Sequence, residues 1–348
     1  MKWLRITIFL FFVLIVSIYI TIKSNDVDTY RTNDVGMKTS IVTAKANPNY
    51  IEFKGQIYHW IGKPVEDWEK AFGEPNRIDP TKYSYDWWIY DDLSNSYYQV
   101  GVNDKKIVSI FAFGNDSDLS PFQIGASYTE IDQEISFRKY IEMEDGRNYY
   151  RFELTDEDLI TRPIVQLTDR IFAQFYFDRF SGKLSAIRMM NQEILLEQRP
   201  FELYYRGNLS ETKLIKQEQW KKINEATAKQ IFSITNRVRQ QKGLNRLVWD
   251  DNIAQVAFSH SKEMGENQFF SHFSKNGNGL KERLQNQDIA YLAAGENIAA
   301  QYVDAPDVVE GWLNSESHRE TLLEEEYTHM GIGVYQLYYT QNFVKRME

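Results

Sequence analysis

The sequence predicts an α+β protein with two folded regions, the first rich in strands and the second with helices followed by late strands. Aromatic residues are plentiful, with 22 Tyr, 21 Phe and 8 Trp among 348 residues. Many of them lie in alternating stretches, as in half-buried strands, whereas helical spacing is confined to shorter segments. An apolar content of 43% is that of a globular core. The chain is therefore not disordered throughout.

Composition excludes several classes of function. The 49 acidic and 40 basic residues give a net charge of -9, whereas a surface for duplex nucleic acid requires clustered Lys and Arg. The chain has no cysteine, so it has no disulfide, no thiolate metal site and no cysteine nucleophile. We expect no nucleic-acid partner and a fold stabilised by packing alone.

An apolar leader opens the chain at residues 1–23. Lys2 and Arg5 precede an uninterrupted apolar run, which is near the lower length limit for a membrane-spanning helix. Basic residues before such a run place the N-terminus in the cytoplasm and the rest of the chain outside. No small-residue cleavage site closes the run, so we expect a single-pass anchor rather than a signal peptide, whose cleavage would release a secreted protein. Residues 24–50 lack periodicity and are predicted to be a stalk.

Residues 51–200 are predicted to be an α+β domain of two repeats. An Ile-Gly pair opens each copy, at residues 61–62 and again at 124–125. Alternating runs with turn residues between them follow both pairs. Each copy should therefore be a helix followed by a small antiparallel sheet.

The first copy shows the helix most clearly. Val65, Trp68 and Phe72 recur on one helical face, and Gly73 and Pro75 end the helix. The aromatic residues of the strands that follow are predicted to alternate between the core and one sheet face, although an exposed aromatic face would also suit peptide docking. These residues are Trp87, Trp88, Tyr97 and Tyr98.

A second folded region follows a connector. Residues 201–223 turn polar and charged, as linkers do, and residues 224–346 then regain helical spacing. Ile231, Ile234 and Val238 lie on one face of a helix. The expected result is a compact α+β layer structure.

Two further helices of this region begin at aspartate caps. Asp250 or Asp251 is the predicted N-cap of one of them. Asp304 caps the other, with Pro306 in its first turn. The apolar, β-rich C-terminus should close the domain as a hairpin or edge strands.

Four of the five histidines lie in the second region. They are His260, His272, His318 and His329. Imidazoles and carboxylates gathered in one domain suit a metal or acid–base site. The region contains neither an H-E-x-x-H motif nor two histidines four residues apart, so a site would have to be assembled from separate segments.

The motifs of this region resemble the CAP superfamily, named for cysteine-rich secretory proteins, antigen 5 and pathogenesis-related 1 proteins. They are "NRVRQQKGLNRLVWDDNIAQVAFSHSKEM", "FFSHFSKNG", "AGENIA", "VVEGWLNSESHRETLL" and "HMGIGVYQLYYTQNF". This resemblance spans about residues 225–345 and keeps the family's motif order. It implies an α-β-α sandwich with a cleft of two histidines and two glutamates. The leader and the repeat-bearing region resemble bacterial YlbC-type proteins with a CAP-associated N-terminal domain.

Three residues match that tetrad by motif: His272, Glu296 and His318. Without the resemblance, each has a structural explanation. His272 could be a core imidazole, Glu296 could accept N–H bonds at a helix start, and His318 could stabilise a helix C-terminus. The resemblance favours a site.

The fourth member of the tetrad is assigned to Glu316. The family often has a glutamate three residues after the helix tryptophan, where this chain has Ser315 after Trp312. Glu316 stands four residues after Trp312, and on one helix both offsets lie on nearly the same side. His329 is an additional candidate ligand.

The expected function is a non-enzymatic binding module at the cell surface. Its His/Glu cleft should bind a divalent cation such as zinc, with no other cofactor. One alternative is a cation-dependent hydrolase that uses His272, Glu296 and His318 to activate water. Another is an adaptor that works through residues 51–200. The expected partners are the membrane, through the N-terminal helix, and a surface ligand that is a lipid, a peptide or a cell-wall component.

Overall fold

Each of the two Ile-Gly pairs forms a glycine turn, and the two turns occupy the same position in the two copies of the strand-rich repeat.

This computed structural model describes residues 56–92, 95–209 and 214–347, so the predicted leader and stalk lie outside the described residues. The described residues belong to one compact unit. None of the helices in these ranges is long and apolar enough to cross a membrane.

Within residues 56–92 and 95–209, the strand-rich region contains four helices and ten strands after a short 3-10 helix at Gln56–Trp60. The helices are α1 (Val65–Phe72), α2 (Tyr128–Ile135), α3 (Asp156–Thr161) and α4 (Gln192–Gln198). The strands are β1 (Arg77–Pro80), β2 (Asp86–Tyr90), β3 (Tyr97–Asn103), β4 (Lys106–Phe113), β5 (Tyr140–Asp145), β6 (Asn148–Glu153), β7 (Ile164–Thr168), β8 (Ile171–Asp178), β9 (Lys183–Asn191) and β10 (Glu202–Arg206). Seven of them form an antiparallel sheet in the order β1-β2-β3-β4-β9-β8-β7, and β5, β6 and β10 form a second sheet.

The predicted repeat is confirmed by matching turns. Gly62 N–H donates to Ile107 O over 2.7 Å, and Gly125 N–H donates to Leu184 O over 2.8 Å. Their φ angles are +87° and +89°, which glycine adopts without strain. The structure differs from the expected two small sheets, because β4 and β9 pair antiparallel and join both copies into one sheet.

The second region contains five helices and four strands within the described residues. The helices are α5 (Gln217–Gln241), α6 (Asp251–Asn267), α7 (Leu280–Gln285), α8 (Ala305–Leu313) and α9 (Glu316–Leu323). The strands are β11 (Val248–Trp249), β12 (Ala293–Ala300), β13 (His329–Tyr335) and β14 (Tyr338–Lys345), and they form one sheet in the order β11-β13-β14-β12.

This sheet lies between two helix layers. Ile332 of β13 belongs to the same core cluster as Ile231 of α5 and Trp312 of α8, on one face of the sheet. On the other face, Ile253 of α6 and Leu284 of α7 cluster with β14. The α+β class and the α-β-α sandwich are confirmed.

The predicted helix caps are confirmed, whereas the connector holds more structure than expected. The Asp250 carboxylate accepts from Ile253 N–H, and the Asp304 carboxylate accepts from Asp307 N–H. Both β10 and the first turns of α5 lie within the predicted connector, 201–223. Their residues are largely exposed, so the apolar periodicity that marks an element is missing there.

Helix α6 lies directly against two glycines of β13. A Cβ built on Gly331 would lie 2.1 Å from Ala254 N, and one built on Gly333 would lie 1.9 Å from Phe258 N. Both are backbone atoms of α6, which cannot rotate away as a side chain can. Close packing of this layer therefore depends on glycine.

We expect Gly333→Ala to lower the free energy of unfolding by about 1–3 kcal/mol, because the methyl group must displace α6. Urea unfolding measures the change. Gly279→Ala is the control, since the nearest atom to its added Cβ would lie 3.3 Å away. An equal decrease in the free energy of unfolding for Gly333→Ala and Gly279→Ala would contradict the packing argument.

Candidate functional site

The residues predicted from the motifs meet at the edge strand β12. Glu296 of β12 accepts from two residues: His272 Nδ1 lies 2.9 Å from its Oε1, and Arg283 Nη2 donates to its Oε2 over 2.6 Å. A carboxylate paired with arginine can only accept, so His272 carries a proton on Nδ1 and donates it to Glu296. The structure thus brings His272 and Glu296 together as an oriented pair.

Arg283 of α7 joins the loop of His272 to β12. Its Nη1 donates to the main-chain oxygens of His272, over 2.9 Å, and of Asn278, over 3.3 Å. The Arg283 side chain is only 9% exposed and that of Glu296 only 4%, whereas the His272 side chain is 51% exposed. A buried ion pair therefore supports an imidazole that solvent can reach.

His260 of α6 supports the same loop. Its Nε2 lies 2.8 Å from the main-chain oxygen of Ser271, so Nε2 carries the proton and donates. Burial, together with the charge of Arg283, lowers the pKa of His260. His260 is thus a buried neutral imidazole that positions the residue before His272.

His318 of α9 also lies beside β12. Asn297, which follows Glu296 on the strand, donates from Nδ2 to the main-chain oxygen of His318 over 3.1 Å. His318 Nδ1 lies 2.8 Å from Ser315 Oγ. Burial, and then the nearby His272, lower the pKa of His318 from its ordinary value of 6.5. This direction of the pKa shift favours the neutral form of the ring.

Glu316 is not brought to this site. It is exposed at the start of α9, and its side chain makes no hydrogen bond or ion pair with any residue the structure describes. The prediction assumed one continuous helix, but α8 ends at Leu313 and a new helix begins at Glu316. Ser315, and not Glu316, is the residue whose side chain contacts His318.

His329 also lies apart from the site. Its Nδ1 is 2.9 Å from Thr328 Oγ1. It stands on β13, which β14 separates from β12. The structure therefore does not bring His329 to the other candidates.

The four-residue ligand set does not form a preassembled metal centre. Within residues 56–92, 95–209 and 214–347, no group of three or more His, Asp or Glu side chains is arranged to hold a metal ion. Both oxygens of Glu296 are already engaged, so the donors that fit a cation are the imidazoles of His272 and His318. Glu296 fits the role of a carboxylate that orients a ligating histidine.

Sequence reasoning missed Arg283 and Ser315. Arg283 belongs to no motif, and only the folded chain shows that its guanidinium reaches Glu296 thirteen residues further on. Ser315 was noted as a departure from the family pattern, but its contact with His318 depends on the break between α8 and α9.

Comparisons with known proteins match both halves of the chain. Residues 61–201 match a family described as CAP-associated N-terminal, and residues 232–345 match the cysteine-rich secretory protein family. The membrane protein YlbC of Bacillus subtilis (strain 168) is 43% identical over 325 residues, which cover 93% of this chain and 94% of YlbC. The protein YkwD of the same organism is 33% identical over 121 residues, which cover 34% of this chain and 47% of YkwD.

Solved structures share the arrangement of both regions. An extracellular protein containing an SCP domain from Bacillus anthracis str. Ames has a TM-score of 0.80 at 35% identity, and the match covers 92% of this chain and 100% of that one. A cysteine-rich secretory protein from Staphylococcus aureus subsp. aureus Mu50 has a TM-score of 0.75 at 29% identity, covering 84% and 96%. The fold is therefore shared along nearly the whole described chain.

Proposed function

The chain belongs to the CAP family, in the group of extracellular-type proteins that carry a CAP-associated N-terminal domain. On this basis we propose that it is a binding module on the extracytoplasmic side of the cell membrane. Its N-terminal helix would be a single-pass anchor that leaves residues 51–346 outside the cytoplasm. A membrane protein among its relatives supports the anchor. An extracellular structural neighbour supports the orientation.

The observation that carries the proposal is the fixed array of His272, Glu296 and Arg283. The buried guanidinium neutralises Glu296 and holds both of its oxygens. The carboxylate in turn fixes the exposed imidazole, so little conformational entropy is lost when a ligand meets it. A rigid polar edge of this kind suits recognition of a ligand.

The nearby His318 supports a cation as part of the ligand. The pKa of His318 is lowered, which favours the neutral imidazole that binds metals. We propose that His272 and His318 would hold a divalent cation such as zinc, with Glu296 orienting His272. The ion would supply a positive charge that attracts anionic groups of the surface ligand.

Removing either imidazole should weaken zinc binding to the full-length chain at least about tenfold, because each ring supplies one of few donors. Isothermal titration with zinc at pH 7 measures the affinity of the wild type, His272→Ala and His318→Ala. The matched control is His329→Ala, which removes an imidazole of the same domain outside the site. Absence of zinc binding to the wild type, or an equal loss in His329→Ala, would overturn the cation proposal.

Two other functions remain predictions. The cation-dependent hydrolase, in which His272, Glu296 and His318 activate water, stays a prediction. A serine nucleophile is less favoured: Ser271, which precedes His272, accepts from Phe273 N–H at its Oγ over 3.0 Å, and within the described residues this hydroxyl makes no hydrogen bond to an imidazole. An adaptor role of residues 51–200 stays open and requires a partner to be identified.

A further inference from the structure

The outer edge of β13 is only partly paired. β11 runs parallel to β13 but covers only His329 and Met330. Asp250 N–H donates to Met330 O, so the main-chain groups of Met330 point to this edge. Main-chain direction alternates along a strand, and the groups of Ile332 and Val334 therefore point to the same edge. Among the described residues no strand pairs with them.

A groove of about 1190 Å³ lies along this open edge, between α5 and α6. The residues of β13 that line it are Ile332, Gly333, Val334 and Tyr335. Its walls carry four partly exposed aromatic side chains, namely Trp220, Trp249, Phe258 and Tyr335. The groove therefore combines the part of the sheet edge that no described strand pairs with and apolar walls.

The chemistry of the groove selects its occupant. Unpaired N–H and C=O groups at a sheet edge are complemented by the backbone of an extended peptide, which continues the ladder that β11 begins. Charged residues of both signs line the rim, among them Glu225, Lys229, Lys262 and Glu266. A polyanion or a polycation would meet repulsion there as well as attraction.

The shape of the groove excludes a second copy of the chain as occupant. The edge lies between two helices, so the β13 edge of another folded copy cannot approach within the strand spacing of about 4.8 Å. A single extended strand can enter. Its paired length, opposite Gly331 to Tyr335, is on the order of five residues at about 3.3 Å per residue.

We propose that an extended segment of a partner protein binds in this groove as an added strand beside Ile332 and Val334, with apolar side chains against the aromatic walls. The site lies on the β13 side of the sheet, whereas His272 and Glu296 lie at the opposite edge, β12. It is therefore independent of the binding function proposed for the cleft.

The test uses the full-length chain in lipid nanodiscs and a fluorescent, acetylated heptapeptide, KTVTVTK, whose valines and threonines favour an extended strand. We expect saturable binding by fluorescence anisotropy. Hydrogen exchange resolved to single amides should show Ile332 and Val334 exchanging faster than Gly333 in the free protein and slowing when the peptide binds. The same peptide with N-methyl groups on its valines should bind at least tenfold more weakly, because the two valines, which lie on the same edge of an extended strand, lose their main-chain donors.

Two variants of α6 complete the test. Ala254→Trp fills the groove, since Ala254 lines it, and should abolish peptide binding. Asn252→Trp adds the same side chain at an exposed position of α6 outside the groove and should leave binding unchanged. No saturable binding by the wild type, equal affinity for the N-methylated peptide, or equal effects of both variants would overturn the proposal. The proposal would also be overturned if the peptide bound equally well to nanodiscs without the protein. It would be overturned too if sedimentation showed that the chain is a dimer and that Ala254→Trp dissociates it, because the groove would then hold a second copy.

Discussion

Replacing Arg188 with methionine is expected to lower the free energy of unfolding by about 3–5 kcal/mol, because it leaves a buried carboxylate without its partner. Arg188 of β9 donates from Nη2 to Asp304 Oδ1 over 2.7 Å, and its own side chain is fully buried. Asp304 is also the N-cap of α8. The ion pair thus ties the sheet of the strand-rich region to the sandwich.

A double-mutant cycle measures this contribution. Urea unfolding is followed for the wild type, Arg188→Met, Asp304→Asn and the double variant. Asparagine retains the capping ability of Asp304, so the double variant removes both charges without losing the cap. We expect the double variant to be more stable than Arg188→Met alone. If the loss of unfolding free energy in the double variant equalled the sum of the losses in the two single variants, the ion-pair argument would be wrong.

Replacing Glu310 with glutamine is expected to stabilise the protein at pH 8 by about 3 kcal/mol. Glu310 of α8 is buried, with its Oε2 only 2.8 Å from Ser185 Oγ of β9. Burial raises the pKa of this carboxyl from 4.5 to about 7. Glutamine retains the shape and a hydrogen-bonding group beside Ser185 but carries no charge.

The pH dependence follows from the direction of the pKa shift. Below about pH 4.5, Glu310 is protonated in both the folded and unfolded states, so the substitution changes little. Between about pH 4.5 and 7, the unfolded chain releases this proton while the folded chain retains it, and the stability of the wild type falls. A shift of about 2.5 units at 1.36 kcal/mol each gives the expected gain for glutamine above pH 7.

Unfolding of the wild type and Glu310→Gln at pH 4, 6 and 8 tests this expectation. The control is Glu320→Gln, which neutralises an exposed glutamate of α9. The free energy of unfolding of Glu310→Gln, relative to that of the wild type, should increase as the pH rises. The same difference for Glu320→Gln should not change. A constant difference at all three pH values would contradict a buried, protonated Glu310.

Features encoded in neighbouring residues could be predicted from the sequence. The caps at Asp250 and Asp304 are local, since an aspartate side chain bonds N–H groups two or three residues on. The helix Val65–Phe72 follows from apolar spacing and the glycine after it. The grouping of His272 with Glu296 came from the family resemblance and not from spacing.

Features that depend on tertiary contacts could not be predicted. The pairing of β4 with β9 joins residues far apart in the sequence, and nothing in either strand marks its partner. Arg283 reaches Glu296 only because α7 lies beside β12. Glu316 was misplaced because the turn between α8 and α9 has no proline or glycine to indicate it.

The central pairing of β4 with β9 also protects the repeat-bearing region from aggregation. Within the described sheet, each copy contributes one of these two strands, and each strand covers the edge of the other. A copy on its own would expose a long apolar strand, β4 or β9, whose free backbone groups invite aggregation. The presence of two copies therefore limits intermolecular strand pairing. Deletion of either copy would expose the edge of β4 or of β9 in the copy that is left.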